Sequence, residues 1–193
     1  MGCFFERRHM AKNMIFAAAL LAAVSTPAFA GMVAVGSSNA RLCYEAAESM
    51  LAPTTRVLAQ CNAAVRDPGL SRHDLVASHI NRGILRLRRG QVDAAIADFD
   101  IAATLDPGEA EAYQNKGAAL IRLNNAREAL PLFTMALERN PNRPALAHLG
   151  RGIASEVLGD VQTAYREYRR AAELEPNSQD AQLSLARFQV VPN

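Results

Sequence analysis

The chain has 193 residues, half of them hydrophobic, with 21 basic and 19 acidic side chains and a formal net charge of +2. This length is sufficient for one domain with a continuous core. The near balance of charge excludes the strongly basic surface that is typical of nucleic-acid-binding proteins, so the sequence predicts no nucleic-acid partner.

The first thirty residues, 1–30, have the pattern of a cleavable signal peptide. Three basic residues precede an apolar run at 14–24, and Ala28 and Ala30 are small residues at the positions that a signal peptidase reads. A membrane-spanning helix needs about 20 apolar residues, which the run does not reach. We therefore expect cleavage after Ala30, a periplasmic or secreted protein and no membrane span in the mature chain. Removal of this leader, residues 1–30, takes away three basic residues and one acidic residue, so the mature chain carries 18 basic and 18 acidic residues.

The mature chain is expected to begin with a flexible segment at 31–39, followed by a helical hairpin at 40–66. This hairpin contains the two remaining cysteines, Cys43 and Cys61, ten residues before and eight residues after Pro53. An antiparallel turn at that proline would bring them opposite each other, and an even cysteine count in an exported chain favours a disulfide. The alternative is a pair of buried reduced cysteines.

Downstream, a repeated frame of glycine, alanine, an aromatic residue and proline recurs at steps of 34 and then 35 residues. A fixed period of this size indicates a supersecondary unit that is copied along the chain. Glycine in a helix costs about 1 kcal/mol relative to alanine. Its recurrence therefore predicts that the first helix of each unit, which carries the glycine (helix A), closely approaches the alanine of the second helix (helix B). The aromatic residue should fill the space between hairpins, and the proline should end helix B. The marks are Gly83, Gly117 and Gly152; Ala95, Ala129 and Ala164; Phe99, Phe133 and Tyr168; Pro107, Pro141 and Pro176.

This frame, found over residues 76–178, resembles the tetratricopeptide repeat family, whose unit is a 34-residue antiparallel helix pair. The resemblance implies an all-α solenoid, a superhelix of such pairs, over 40–193. The hairpin at 40–66 lacks the glycine and aromatic marks and is interpreted as a degenerate first pair that caps the stack. A closing helix is expected at 179–189. The three full units are 76–109, 110–144 and 145–178.

The resemblance also implies that partners bind in a concave groove along the A helices. With the repeated glycine at position 8 of each unit, the groove positions are mostly apolar, which suits an amphipathic helix or an extended apolar peptide. They lack the lysine and asparagine set with which chaperone-adaptor members clamp a terminal carboxylate. The alternatives are coverage by the chain's own segments, 32–35 or 188–191, or by a second copy in a homodimer. The groove residues are Ile80, Ile84, Leu87, Arg88, Gln114, Ala118, Ile121, Arg122, Leu149, Ile153 and Val157.

Position 7 of each unit is basic, being Arg82, Lys116 and Arg151 in turn. Stacking would align these side chains as a ladder, and two interpretations are open. The ladder could recognise a carboxylate or another anion, since guanidinium groups suit planar acids. Alternatively, its members pair with acids of the B helices, namely Asp98, Asp100 and Glu167.

The sequence predicts no catalytic, cofactor or metal site. His73, His79 and His148 have no histidine or cysteine at ligand spacing, and phosphate-loop and nucleophile-elbow motifs are missing. The predicted function is a non-catalytic protein–protein interaction adaptor of the cell envelope that binds a protein or peptide partner. The alternatives are a self-associating structural element of the envelope, or an accessory or regulatory subunit of an envelope enzyme.

Overall fold

The computed structural model describes residues 4–7, 31–32, 37–49 and 53–191. In these ranges the chain is almost entirely helical, which confirms the predicted all-α solenoid. Consecutive helices run antiparallel, and each packs chiefly on its neighbours along the chain. They are α1 (Ser38–Glu48), α2 (Thr55–Ala64), α3 (Arg72–Arg88), α4 (Val92–Leu105), α5 (Ala110–Arg122), α6 (Ala126–Glu138), α7 (Pro144–Val157), α8 (Val161–Leu174) and α9 (Gln179–Leu185).

Local sequence signals set where these helices begin and end. The Ser37, Thr54 and Ser71 side chains accept hydrogen bonds from backbone amides in the first turns of α1, α2 and α3, as is usual for helix N-caps. The B helices α4, α6 and α8 end two residues before Pro107, three before Pro141 and two before Pro176, because the residue before a proline is pushed out of helical conformation.

The turn from helix A to helix B uses a left-handed backbone residue in every unit. Gly90, Asn124 and Gly159 occupy position 15 of successive units and have φ values of 74°, 57° and 86°. Glycine and asparagine tolerate this conformation better than other residues. The turn is therefore encoded locally, at a position that the repeated frame of glycine, alanine, aromatic and proline does not include.

The three repeated aromatic rings are buried between helices, as predicted. Phe99 and Tyr168 are fully buried and Phe133 is 2% exposed. Phe133 also lies between two units, because Cβ atoms added at Gly117 and at Gly150 of the next unit would approach its ring to 2.9 and 2.3 Å. Phe133 thus joins its own hairpin to the next one.

The partner of the repeated glycine differs from the expectation. A Cβ atom at Gly83 would lie 2.5 Å from Cε1 of Phe99, and one at Gly152 would lie 2.7 Å from Cε1 of Tyr168. Both distances are far below normal contact, so glycine makes room for the ring of its own helix B and not for the alanine. The ring, which is larger, lies nearest to the space that the missing side chain leaves.

The first hairpin, α1 and α2, is joined by a disulfide between Cys43 and Cys61, whose Cα atoms are 5.0 Å apart. Both cysteines are fully buried. They belong to the same apolar cluster as Ile80, Ile84 and Phe99 of the first full unit. The hairpin is therefore part of the core at this end of the solenoid.

The closing helix is shorter than expected. α9 ends at Leu185, and Phe188–Val191 forms a strand, β2, that pairs antiparallel with β1 (Phe4–Arg7). Phe188 turns towards α8, where its ring centre lies 6.0 and 5.9 Å from those of Tyr165 and Tyr168. This packing ends the helical path before residue 189. No helix in the part of the chain that the structure describes is long and apolar enough to cross a membrane.

Candidate partner-binding surface

The A-helix face of the first unit is covered by other parts of the chain. Ile80, Ile84 and Leu87 are all fully buried. They pack in one cluster with α1 residues and with Met32, which is 7% exposed. These three predicted groove residues are therefore core residues, and the alternative of self-coverage holds at this end. The remainder of the segment named for that coverage, residues 33–35, lies outside the described residues.

Met32 is held on this face through its backbone. Its amide donates to Oδ1 of Asn81 at 3.1 Å, and its carbonyl accepts from Nδ2 of Asn81 at 2.8 Å. The amide of Gly31 donates to Oε1 of Glu48 at 3.1 Å. One buried asparagine thus satisfies both backbone groups of a residue that is 49 positions away. Gly31 and Met32 are docked, although the sequence predicts a flexible segment there.

Two predicted groove arginines cap neighbouring helices. Arg88 donates to the carbonyl oxygens of Ser49 and Ala47, both at 2.6 Å, at the end of α1. Arg122 donates to the carbonyl of Leu87 at 2.9 Å, near the end of α3. Burial lowers the pKa of both guanidinium groups. A cation at a helix C-terminus is favourable, so both side chains serve to tie one A helix to the next.

The accessible part of the surface lies on α5 and α7. We define the open face as Ala118, Arg122, Ile153 and Val157, which are half-buried or exposed, Val157 being 50% exposed. Ile121 and Leu149 lie below it, each 8% exposed, and Gln114 is 3% exposed. Oε1 of Gln114 accepts no hydrogen bond from any described residue.

The basic ladder is paired with acids of the B helices. Arg82 contacts Asp98 at 2.6 Å, Lys116 contacts Asp100 of the preceding unit at 2.5 Å, and Arg151 contacts Glu167 at 2.6 Å. This is the arrangement expected by the second of the two interpretations. The three cations connect A helices to B helices.

Asp98 is the centre of the most buried of these clusters. It contacts Nδ1 of His79 at 3.1 Å and Nη1 of Arg86 at 2.8 Å, in addition to Arg82. Burial alone would raise the pKa of Asp98. Hydrogen bonds from His79 and Arg82, with the charges of Arg82 and Arg86, outweigh burial and hold that pKa below its usual range.

The third unit repeats this cluster in a more exposed form. Nδ1 of His148 lies 2.8 Å from Oε2 of Glu167, which also pairs with Arg151. Burial opposes ionisation, but the hydrogen bonds and charges of His148 and Arg151 lower the pKa of Glu167. In both units the acid follows the histidine by 19 residues. That spacing is the sequence signal by which the pairs could have been found.

Two acids meet where α5 begins. Glu109 caps the helix, its Oε1 accepting from the Glu111 amide at 3.3 Å, and the Glu111 carboxylate accepts from the Asn142 amide at 2.7 Å. Burial, followed by the hydrogen bond and charge of Glu111, raises the pKa of Glu109 to about 8. No cluster of three histidine, cysteine or acidic residues suited to a metal occurs among the residues that the structure describes.

The tail of the chain adds contacts at the far end of the third unit. The Tyr168 hydroxyl donates to Oε2 of Glu156 at 2.7 Å, and Nη2 of Arg187 donates to the same atom at 2.7 Å. Burial and the nearby Glu156 charge raise the pKa of Tyr168. Arg187 and Phe188 thus fix the tail against α7 and α8 and leave Val157 exposed.

The chain is similar in sequence and in fold to known proteins. The chain is 29% identical over 116 residues to the protein CTR9 homolog of Arabidopsis thaliana, covering 59% of this chain and 10% of that protein. It therefore spans only a small part of that relative. The Arabidopsis OM64 TPR domain superposes with a TM-score of 0.57 at 25% identity, over 61% of this chain and 96% of that one.

A second solved structure is the first TPR of Spaghetti (RPAP3) bound to the HSP90 peptide SRMEEVD. It superposes with a TM-score of 0.55 at 26% identity, covering 58% of this chain and 88% of that one. Residues 86–151 match the family model described as tetratricopeptide repeat. Over these residues the chain is similar to the tetratricopeptide repeat family.

Proposed function

We propose that this protein is an exported, non-catalytic adaptor that binds an extended segment or helix of a partner protein on its open face. The observation that carries this proposal is the docking of Met32. The A-helix surface of the first unit already holds Met32 through a buried asparagine that pairs with both of its backbone groups. Main-chain hydrogen bonds of this kind supply affinity in peptide recognition, and side-chain pockets supply specificity.

The open face has the chemistry for a similar ligand. It is apolar at Ala118, Ile153 and Val157, and the buried acceptor of Gln114 lies on the same helix face. A buried polar atom without a partner costs roughly 1–3 kcal/mol. A rotation of the Gln114 side chain would bring this acceptor to the open face, where a backbone amide of a bound peptide would satisfy it, so an extended apolar peptide is the ligand we favour.

The solved structure of Spaghetti with an HSP90 peptide supports peptide binding by a related domain. Three of the last four residues of that peptide are acidic. In this chain, positions 5 and 9 are Ile80 and Ile84, Gln114 and Ala118, and Leu149 and Ile153. None of these is basic, so we do not extend the recognition of acidic chain ends to this protein.

Export is supported by the leader pattern of residues 1–30 and by the cysteine pair. Disulfides persist in oxidising compartments and are rare in the cytosol. The buried Cys43–Cys61 bond joins helices in the core, and we propose that it forms after export to the periplasm or the cell exterior.

The test is site-specific photo-crosslinking from Val157 in living cells, with Leu183 as the matched control. Both are exposed apolar residues on helices, at 50% and 64% exposure, but Leu183 lies on α9, outside the open face. We expect a partner adduct from Val157 alone. Val157→Asp should reduce recovery of that partner at least tenfold, whereas Leu183→Asp should not. Equal adducts from both positions, or recovery unaffected by Val157→Asp, would contradict the proposal.

Self-association is the second candidate, because the exposed apolar side chains of Leu123, Val157 and Leu158 would also suit a second copy. Light scattering of the mature chain separates the two. A stable dimer that Val157→Asp dissociates would favour a structural element of the envelope. An accessory subunit of an envelope enzyme would differ only in the identity of the partner that is crosslinked.

A further inference from the structure

We propose that the α-amino group created at Gly31 by removal of the leader is bound by the Glu48 carboxylate, so that processing itself fixes the new N-terminus on the first unit. This inference rests on the export proposed above. It concerns a binding site whose ligand is a free α-ammonium group and the backbone of the residue that follows it.

The geometry for this contact is already present around residue 31. The Gly31 nitrogen lies 3.1 Å from Oε1 of Glu48. In the precursor this nitrogen is an amide with one hydrogen and no charge. After cleavage between Ala30 and Gly31 it becomes an ammonium group with three donors and a positive charge. The hydrogen bond from a neutral amide to an ionised carboxylate then becomes an ion pair, which adds the attraction between two opposite charges.

The next residue holds the terminus in place. Met32 is 7% exposed, and both of its backbone groups pair with the fully buried side chain of Asn81. This anchor fixes the nitrogen of residue 31 beside Glu48. It therefore limits the conformational entropy that a new chain end would otherwise lose on forming an ion pair.

Residue 31 also suits this place by having no side chain. A Cβ atom at Gly31 would lie 2.3 Å from Oε1 of Glu48, so a larger residue would require the exposed Glu48 side chain to shift. A chain that began one residue earlier would carry its charge about 3.8 Å further along the backbone. The site is thus matched to an end at Gly31.

The mature chain offers a simple readout, because Lys116 is its only lysine. A chain that begins at Gly31 has two primary amines, the α-amine and Nζ of Lys116, which pairs with Asp100. An opposite charge favours the ammonium form and so slows acylation of an amine. We would release the chain from a carrier by cleavage directly before Gly31 and measure acetylation of each amine by mass spectrometry.

We expect Glu48→Gln to increase acetylation of the Gly31 amine about two- to fivefold, the range for one exposed ion pair, and to leave Lys116 unchanged. Glu45→Gln is the matched control, since Glu45 lies on the same helix and pairs with Arg41. A chain that begins at Ala30 should lose the dependence on Glu48. Equal rates in the wild-type and Glu48→Gln proteins would overturn the inference.

The N-terminus of the exported protein provides the second measurement. Mass spectrometry of protein recovered from the envelope should show that it begins at Gly31, and any other N-terminus would overturn the link to processing. These results are independent of the Val157 crosslinking. A failed partner search and a failed terminus contact are therefore distinguishable.

Discussion

The first and third units have the same repeated frame but differ in how much of the A helix the rest of the chain covers. In the first unit, Ile80, Ile84 and Leu87 are fully buried beneath α1 and Met32. In the third unit, Ile153 is half-buried and Val157 is half exposed. The frame determines how hairpins stack, whereas the flanking segments determine which part of the resulting groove remains open to a partner.

The two ends should differ most in the cost of losing an aromatic ring. Phe99→Ala removes a fully buried ring from the larger apolar cluster and should lower the free energy of unfolding by about 3–5 kcal/mol. Phe188→Ala removes a half-buried ring at the tail and should cost about 1 kcal/mol. Urea unfolding followed by circular dichroism measures both. Similar losses would show that the two ends are equally well packed.

The two histidine–acid clusters should differ less than the two aromatic rings in what their loss costs in stability. Asp98→Asn leaves Arg82 and Arg86 without their buried counterion and should cost about 3 kcal/mol. Glu167→Gln changes a more exposed acid and should cost about 1 kcal/mol. Because the folded pKa of Asp98 is lowered, its ion pairs contribute stability above its unfolded pKa of about 3.9, which is lost as pH falls through the folded value.

The wild-type protein should therefore lose stability more steeply than Asp98→Asn as the pH is lowered from 5 to 3. Urea titrations at several pH values test this, with Glu167→Gln as the parallel variant. Identical pH profiles for the wild type and Asp98→Asn would contradict the lowered pKa of Asp98.

The smallest expected effect is at Glu109, between the two ends. Its pKa of about 8 in the folded protein lies above the unfolded value of about 4.3. The folded state therefore becomes less stable as the pH rises from the unfolded pKa through the folded pKa of Glu109. Glu109→Gln should be more stable than the wild type above pH 8, by about 1 kcal/mol or less after solvent screening, and equal to it at pH 4. A constant difference in stability between the two proteins from pH 4 to pH 9 would contradict the raised pKa of Glu109.

The sequence predicts the stacking better than it predicts the surface. The ends of α4, α6 and α8 follow from local proline signals, and the burial of Phe99, Phe133 and Tyr168 follows from the repeat period. These features depend on residues within one hairpin or its neighbour. The pairing of Cys43 with Cys61 in the structure likewise follows from a turn between two adjacent helices.

The covered part of the groove could not be predicted in the same way. Coverage of Ile84 depends on Met32 and α1, which reach it through contacts far apart in sequence. The length of the closing helix depends on the packing of Phe188 against Tyr165 and Tyr168. An aspartate at Ile84 would consequently test folding, whereas the same change at Val157 tests partner binding.

The glycine at residue 150 has a consequence for any attempt to lengthen or shuffle this array. The corresponding position 6 is Asn81 in the first unit and Asn115 in the second. A duplicate of the second unit, inserted directly after the original, would place an asparagine where a Cβ atom comes within 2.3 Å of the Phe133 ring. The repeats are therefore not interchangeable modules, because the residue at position 6 of helix A has to fit the aromatic ring of the preceding unit.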